Sequence, residues 1–149
     1  MYELLKPALL RLPPETIHEA TTGLLRVAQR AGVHRAYAGH YTVDDDRLSV
    51  DAFEQSFDNP VGVAAGFDKN AEVPRALAAL GFGHVEVGAV TAERQPGNQR
   101  PRLFRLREDE ALVNRMGFNN EGADRVGRRL DEQSLPDAPV GVNIGKSKE

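Results

Sequence analysis

Three apolar runs of this chain end in small and polar residues of a kind that can hold a ligand: Ala65-Gly66-Phe67-Asp68-Lys69-Asn70, Gly88-Ala89-Val90-Thr91 and Asn143-Ile144-Gly145-Lys146. Glycine and alanine let a flat ligand approach the backbone, while Lys69, Asn143 and Lys146 offer donors and positive charge. A lysine just past a buried strand serves as a point charge for an anionic group, or as an amine nucleophile if desolvated. With Asp68 beside it and no cation close in sequence to depress its pKa, Lys69 is expected in the charge role. Asn114-Arg115-Met116-Gly117-Phe118-Asn119-Asn120 sets three carboxamides around a glycine and an aromatic, a pattern suited to a ring with imide groups. Helix capping by Asn119 or Asn120 is the structural use of the same residues. Gly66, Gly88 and Gly145 taken singly need be no more than strand-to-helix turns, but three polar tips together favour a ligand site.

Other chemistries lose support. The chain has no cysteine, and His18, His34, His40 and His84 show no ligand spacing, so no metal site is expected. No glycine-rich dinucleotide or phosphate-loop pattern occurs. Nineteen basic against 22 acidic side chains leave a net charge of −3 over 149 residues, which argues against nucleic-acid binding. Arg94, Arg100, Arg102, Arg105 and Arg107 form a local basic stretch, expected as a solvated face. The longest uncharged apolar stretch, residues 59–67, is too short to span a bilayer, and the N-terminus does not open a cleavable signal, which points to an intracellular, non-spanning chain.

The elements that must position these residues read as α/β. Leu4, Leu5, Ala8, Leu9 and Leu12 recur at helical spacing, Pro13-Pro14 interrupts, and Ile17, Ala20, Leu24, Val27 and Ala28 form a second stripe ending near Gly32. Such a helical hairpin packs on its own domain or lies on a membrane surface; pattern alone favours packing. Residues 33–47 read as a polar linker. Strands are expected at 61–66, 84–91 and 139–145, helices at 72–80 and 119–130, and a hairpin at 102–107 with 111–115. Strand, helix, strand is a βαβ unit, which places the strand tips on one face of a parallel sheet. A sheet that stops directly after its third strand leaves an edge, so a fragment is expected.

The segments Asn59-Pro-Val-Gly-Val-Ala-Ala-Gly-Phe-Asp-Lys-Asn70, Gly81-Phe-Gly-His-Val-Glu-Val-Gly88, Gln95-Pro-Gly-Asn98, Pro101-Arg-Leu-Phe-Arg-Leu106, Asn114-Arg-Met-Gly-Phe-Asn-Asn120 and Gly141-Val-Asn-Ile-Gly-Lys146 closely resemble those of the quinone-dependent, class 2 dihydroorotate dehydrogenases. The resemblance runs the length of the chain, and the N-terminal helical pair separates this class from the soluble class 1 enzymes. It implies the N-terminal part of a (β/α)8 TIM barrel preceded by a helical hairpin: a membrane-associated lid over residues 1–40, then about three βα units of an FMN-binding barrel over 41–149. The implied reaction is oxidation of dihydroorotate to orotate in pyrimidine synthesis, with electrons passed to a membrane quinone.

Carried over by position, Ala65, Gly66, Phe67, Asp68, Lys69, Ala89 and Asn143 would contact FMN, and Lys69, Asn114, Arg115, Met116, Gly117 and Phe118 the substrate. His18 and Arg105 would line the quinone tunnel, and residues 1–32 would make peripheral contact with the cytoplasmic side of the cell membrane. Two departures stand out. Position 89 is alanine where the family usually has threonine or serine, which removes a hydroxyl contact. The family's catalytic serine lies in a segment beyond Glu149, and Ser147 falls outside that motif, so no catalytic base is expected in this chain. A flavin-free, non-catalytic stub and a class 1 type flavin barrel are the alternatives.

Overall fold

A computed structural model describes residues 2–147; Met1, Lys148 and Glu149 lie outside the described residues. Helices α1 (Tyr2–Leu9) and α2 (Pro14–Arg30) form where the apolar spacing places them. Pro13 is extended and Pro14 opens α2, the position where a missing N–H costs nothing.

The packing of α2 inverts the expectation from its apolar stripe. Its buried residues are Glu15, Thr22 and Gln29, seven apart and therefore on one face. Leu24 and Val27 are 70% and 64% exposed. From the stripe's side of the sequence only Leu25, next to Leu24, packs against the core. Gln29 explains the inversion: its Oε1 accepts from Ala76 N at 3.0 Å and its Nε2 donates to Glu72 O at 3.2 Å, so α2 is bound by polar groups that only this face presents.

The stretch read as a linker contains a third helix, α3 (His34–Tyr41), followed by a 3-10 turn at Asp46–Leu48. Its sequence has little periodicity, and it is held from outside: Tyr37 Oη donates to Ala76 O at 3.2 Å and His34 is buried. Strands β1 (Val50–Ala52) and β2 (Gln55–Phe57) pair antiparallel around Phe53 and Glu54, both with positive φ, as a two-residue turn of primed type requires.

The main sheet has order β3-β4-β7, all parallel, from β3 (Gly62–Val63), β4 (His84–Val90) and β7 (Val140–Ile144). Helices α4 (Pro74–Ala78) and α5 (Ala123–Glu132) cover one face, and β5 (Leu103–Leu106) with β6 (Ala111–Asn114) makes the expected hairpin. Several elements are shorter than their patterns. β3 stops at Val63 because Ala65 N turns out of the ladder to Glu86. α4 starts at Pro74 because the buried Asp68 carboxylate takes the N–H groups of Glu72 and Val73, each at 2.8 Å. α5 starts at Ala123, with Gly122 at φ 86 as its N-cap, so neither Asn119 nor Asn120 caps it. Asn120 instead joins strand to helix: its Oδ1 accepts from Thr91 N and Gly122 N.

The core between sheet and helices is Ala71, Val73, Ala76, Leu77, Val85, Val87, Val90 and Val126. Alternation along β4 turns Val85 and Val87 into it and Glu86 to the opposite face. Leu77, 3% exposed, sits in this core, so Leu77→Ala is expected to cost about 2–5 kcal/mol in urea unfolding. Leu24→Ala on the exposed side of α2 is expected to stay within about 0.5 kcal/mol of the parent.

Candidate functional site

The ends of the three parallel strands open into one cavity of about 840 Å³, within the range of small-molecule and cofactor sites. Ala65, Gly66, Phe67 and Lys69 from the β3 end, Ala89 from β4 and Asn143 from β7 line it. Asn114, Arg115, Met116, Gly117 and Phe118 close it from the β6 end, and Glu15 and His18 of α2 form a further wall. Two of the expected groups are placed elsewhere. Lys146 lines a separate apolar groove with Val142, Ile144 and Ser147. Asp68, buried at 1% exposure, spends both carboxylate oxygens on the backbone ahead of α4 and so shapes the turn that carries Lys69.

The strand ends are tied to one another by backbone. Gly66 N donates to Gly88 O at 2.7 Å, Gly88 N to Asp68 O at 3.0 Å, and Gly145 N to Val90 O at 2.8 Å. Gly88 has φ 112, and a Cβ there would stand 2.5 Å from Asn143 O, so only glycine permits this approach of β4 to β7. Gly66 has φ 104 and a Cβ would meet nothing within 4 Å: the space beside it is open. On the sheet face opposite the core, Glu86 links the same strands, accepting from Ala65 N at 3.2 Å and from Asn143 Nδ2 at 3.1 Å. The Asn143 and Ala65 hydrogen bonds hold its carboxyl below the usual range. Glu86 therefore fixes the Asn143 amide that faces the cavity. A lone acid in an otherwise apolar strand was the sequence signal for it.

Lys69 Nζ donates to Gly66 O at 2.6 Å, which holds the ammonium over the end of β3. Burial and then the positive charge of Arg102 push its pKa down, against Glu15 and Asp68. The sequence shows no cation near Lys69, but folding brings one up from 33 positions away. Burial, followed by Lys69, likewise lowers the pKa of His18, whose ring meets the Phe67 ring edge-on with centroids 5.0 Å apart. Asn119 Oδ1 is buried at the cavity without a hydrogen-bond partner.

Arg94, Arg100 and Arg107 of the basic stretch are exposed, as its composition suggests, but four of its arginines also clamp the helical pair. Arg102, 6% exposed, donates through Nε and Nη2 to Glu15 Oε1 at 2.9 and 2.7 Å, and through Nη1 to Pro96 O and Asn98 O at 2.9 and 3.0 Å. Arg100 pairs with Glu15 and Glu19. Arg105 Nη1 donates to Leu10 O and Leu12 O at 3.3 and 2.6 Å, and Arg107 Nη2 to Leu10 O at 2.7 Å. Arg105 thus grips the α1–α2 turn and is absent from the cavity lining, where His18 is present.

A sequence profile of the family described as dihydroorotate dehydrogenase matches residues 47–149. The chain is 78% identical over 148 residues to the dihydroorotate dehydrogenase (quinone) of Halobacterium salinarum, covering 99% of this chain and 42% of that protein. It is 51% identical over 150 residues to the dihydroorotate dehydrogenase (quinone) of Roseiflexus sp., again with 42% of the relative covered. The chain thus spans about 42% of the length of these curated relatives. The crystal structure of dihydroorotate dehydrogenase from Eimeria tenella in complex with ferulenol superimposes with a TM-score of 0.73 at 42% identity, over 90% of this chain and 36% of that one.

The Glu15–Arg102 pair gives the site a pH signature. Burial alone would raise the Glu15 pKa, but the hydrogen bonds and charge of Arg102 outweigh it and hold the carboxyl below 4.5. The folded state therefore gains from this group above about pH 4.5, and the gain is lost as pH falls through the lowered folded value. Glu15→Gln is expected to destabilise by about 3–5 kcal/mol at neutral pH, because a buried guanidinium loses its counter-charge. The melting-temperature gap between parent and variant should narrow steadily as pH is lowered toward 3; a gap independent of pH would show that the pair is not charged.

Proposed function

This chain belongs to the dihydroorotate dehydrogenase family, and we propose that it carries the lid and the first strands of an FMN-dependent enzyme that oxidises (S)-dihydroorotate to orotate and passes the electrons to a membrane quinone. In this reading residues 1–40 form the lid and residues 41–149 the first βα units of a TIM barrel. One observation carries it: Lys69, Asn114 and Asn143, three groups from distant parts of the sequence, face one cavity at the carboxyl ends of parallel strands.

The residues fit the flavin. The open space at Gly66 admits a flat ring against the backbone. Lys69, Asn143 and the unpartnered Asn119 Oδ1 supply donors and an acceptor at one level of the cavity. Ala65, Phe67 and Ala89 add apolar contact, Ala89 without a hydroxyl. FMN, when bound, supplies the hydride acceptor for the hydrogen leaving C6 of the substrate.

The chain's own residues bind, orient and hold charge. The Lys69 ammonium, fixed by Gly66 O, places positive charge where reduction delivers negative charge, and needs no reorganisation to do so. Asn114 Oδ1 accepts from Met116 N at 3.3 Å, which leaves its amide N–H groups for a ring carbonyl. Arg115 Nη2 and Nε donate to Pro101 O at 3.0 and 3.3 Å, which steadies the segment from Met116 to Phe118 that closes over substrate. The proton at C5 is taken by a base that none of the described residues provides.

The exposed apolar side of α2, with Leu24 and Val27, supports peripheral contact with the cytoplasmic side of the cell membrane. Among the described residues no helix is long and apolar enough to cross a membrane. His18, beside Phe67, lies on the side from which a quinone would approach, and Arg105 sets the α1–α2 turn at that entrance.

In a protein spanning the full length of its relatives, Lys69→Ala is expected to lower turnover of dihydroorotate with a quinone acceptor by about 10²–10³-fold. Circular dichroism should be unchanged. Turnover within a few-fold of the parent would overturn the role given to Lys69.

A further inference from the structure

A second cleft, of about 350 Å³, lies between α2, α4 and α5 and shares no lining residue with the cavity at the strand ends. Arg26, Arg30, Arg75 and Arg129 line it, against Glu72 and Glu132. Glu121, outside the lining, pairs with Arg129, so four positive and three negative groups leave a surplus of one positive charge there, in a chain whose net charge is −3. Its floor is built and rigid: Gln29 Nε2 donates to Gln133 Oε1 at 3.4 Å, Gln133 Nε2 to Ala71 O at 2.8 Å, and Gln29 Oε1 accepts from Ala76 N.

The four guanidinium groups are unequally satisfied. Arg129 donates to Asn70 O at 2.5 Å and Glu121 Oε2 at 2.6 Å. Arg26 pairs with Glu72, yet its Nε is buried without a partner. Arg75 finds no acceptor among the described residues, and its Nε is also shut off from solvent. Arg30 and Arg75, which line the cleft and have no side-chain partner among the described residues, mark a place for an acceptor brought by a ligand. A phosphoryl group matches the planar fork of guanidinium with paired oxygens and has further oxygens for a second arginine.

We propose that the cleft formed by Arg26, Arg30, Arg75 and Arg129 is a binding site for a phosphoryl group, separate from the strand-end cavity. It takes either the phosphate of a small soluble molecule or the headgroup of an anionic phospholipid, and it stands whether or not the reading of the strand-end cavity does.

The test is calorimetric titration of the chain with inorganic phosphate at constant ionic strength, beside flotation with vesicles of phosphatidylglycerol or of phosphatidylcholine. The parent should bind phosphate saturably. Arg75→Gln, and separately Arg30→Gln at an exposed position where folding is not at risk, should weaken binding at least tenfold with unchanged circular dichroism. Loss of flotation on phosphatidylglycerol alone in the same variants assigns the site to a headgroup; unchanged flotation assigns it to a soluble phosphate. No saturable phosphate binding by the parent, or variants that bind as the parent does, would overturn the proposal.

Discussion

The guanidinium of Arg102 is the constraint on which the arrangement of this molecule rests. Its N–H groups reach Glu15 of α2 and the carbonyls of Pro96 and Asn98 at once, so helix, loop and hairpin meet at a single planar group. Because guanidinium geometry is fixed, those three segments are fixed relative to each other. Burial lowers the proton affinity of Lys69, and the same charge adds to that effect. The placement of the wall of the strand-end cavity therefore rests on a buried ion pair between segments 87 residues apart.

Around this node the cavity is assembled with few side chains. Backbone bonds among Gly66, Asp68 and Gly88 bring β3 against β4, and the Glu86 carboxylate extends the link to Asn143 on β7. Helix α4 begins where Asp68 ends the preceding turn, so the residue that precedes Lys69 also decides where the covering helix starts. Packing on one face of the sheet and polar ties on the other thus serve the same end. The apolar face supplies stability; the polar face supplies position.

The three parallel strands, the hairpin of β5 and β6 and the strand-tip and carboxamide residues of the cavity were legible because each depends on local pattern: Val85 and Val87 alternate, the strand tips change to small and polar, and the carboxamides cluster around Gly117. The features that were not legible depend on partners remote in sequence. α3 forms from a weakly patterned stretch because Tyr37 finds α4. The arginine run looks solvated until Glu15, Glu19 and two carbonyls of the α1–α2 turn come opposite it. Asn119 and Asn120 read as caps, a local use, whereas Asn120 is spent on Thr91, 29 residues earlier. Lys146 follows a strand just as Lys69 does, but it emerges on the other side of β7.

Helix α2 attaches to the rest of the molecule through Glu15, Arg26 and Gln29 and leaves Leu24 and Val27 outside. An oily seam tolerates slippage, because apolar contact has no direction; a seam of hydrogen bonds does not. Each residue added to or removed from a helix turns its remaining length by about 100°, enough to swing Gln29 away from Ala76 while Glu15 still holds Arg102. The helix is therefore indexed like a toothed shaft, engaging at one angular setting, and the 14-position step from Glu15 to Gln29 acts as a fixed gauge of length and rotation.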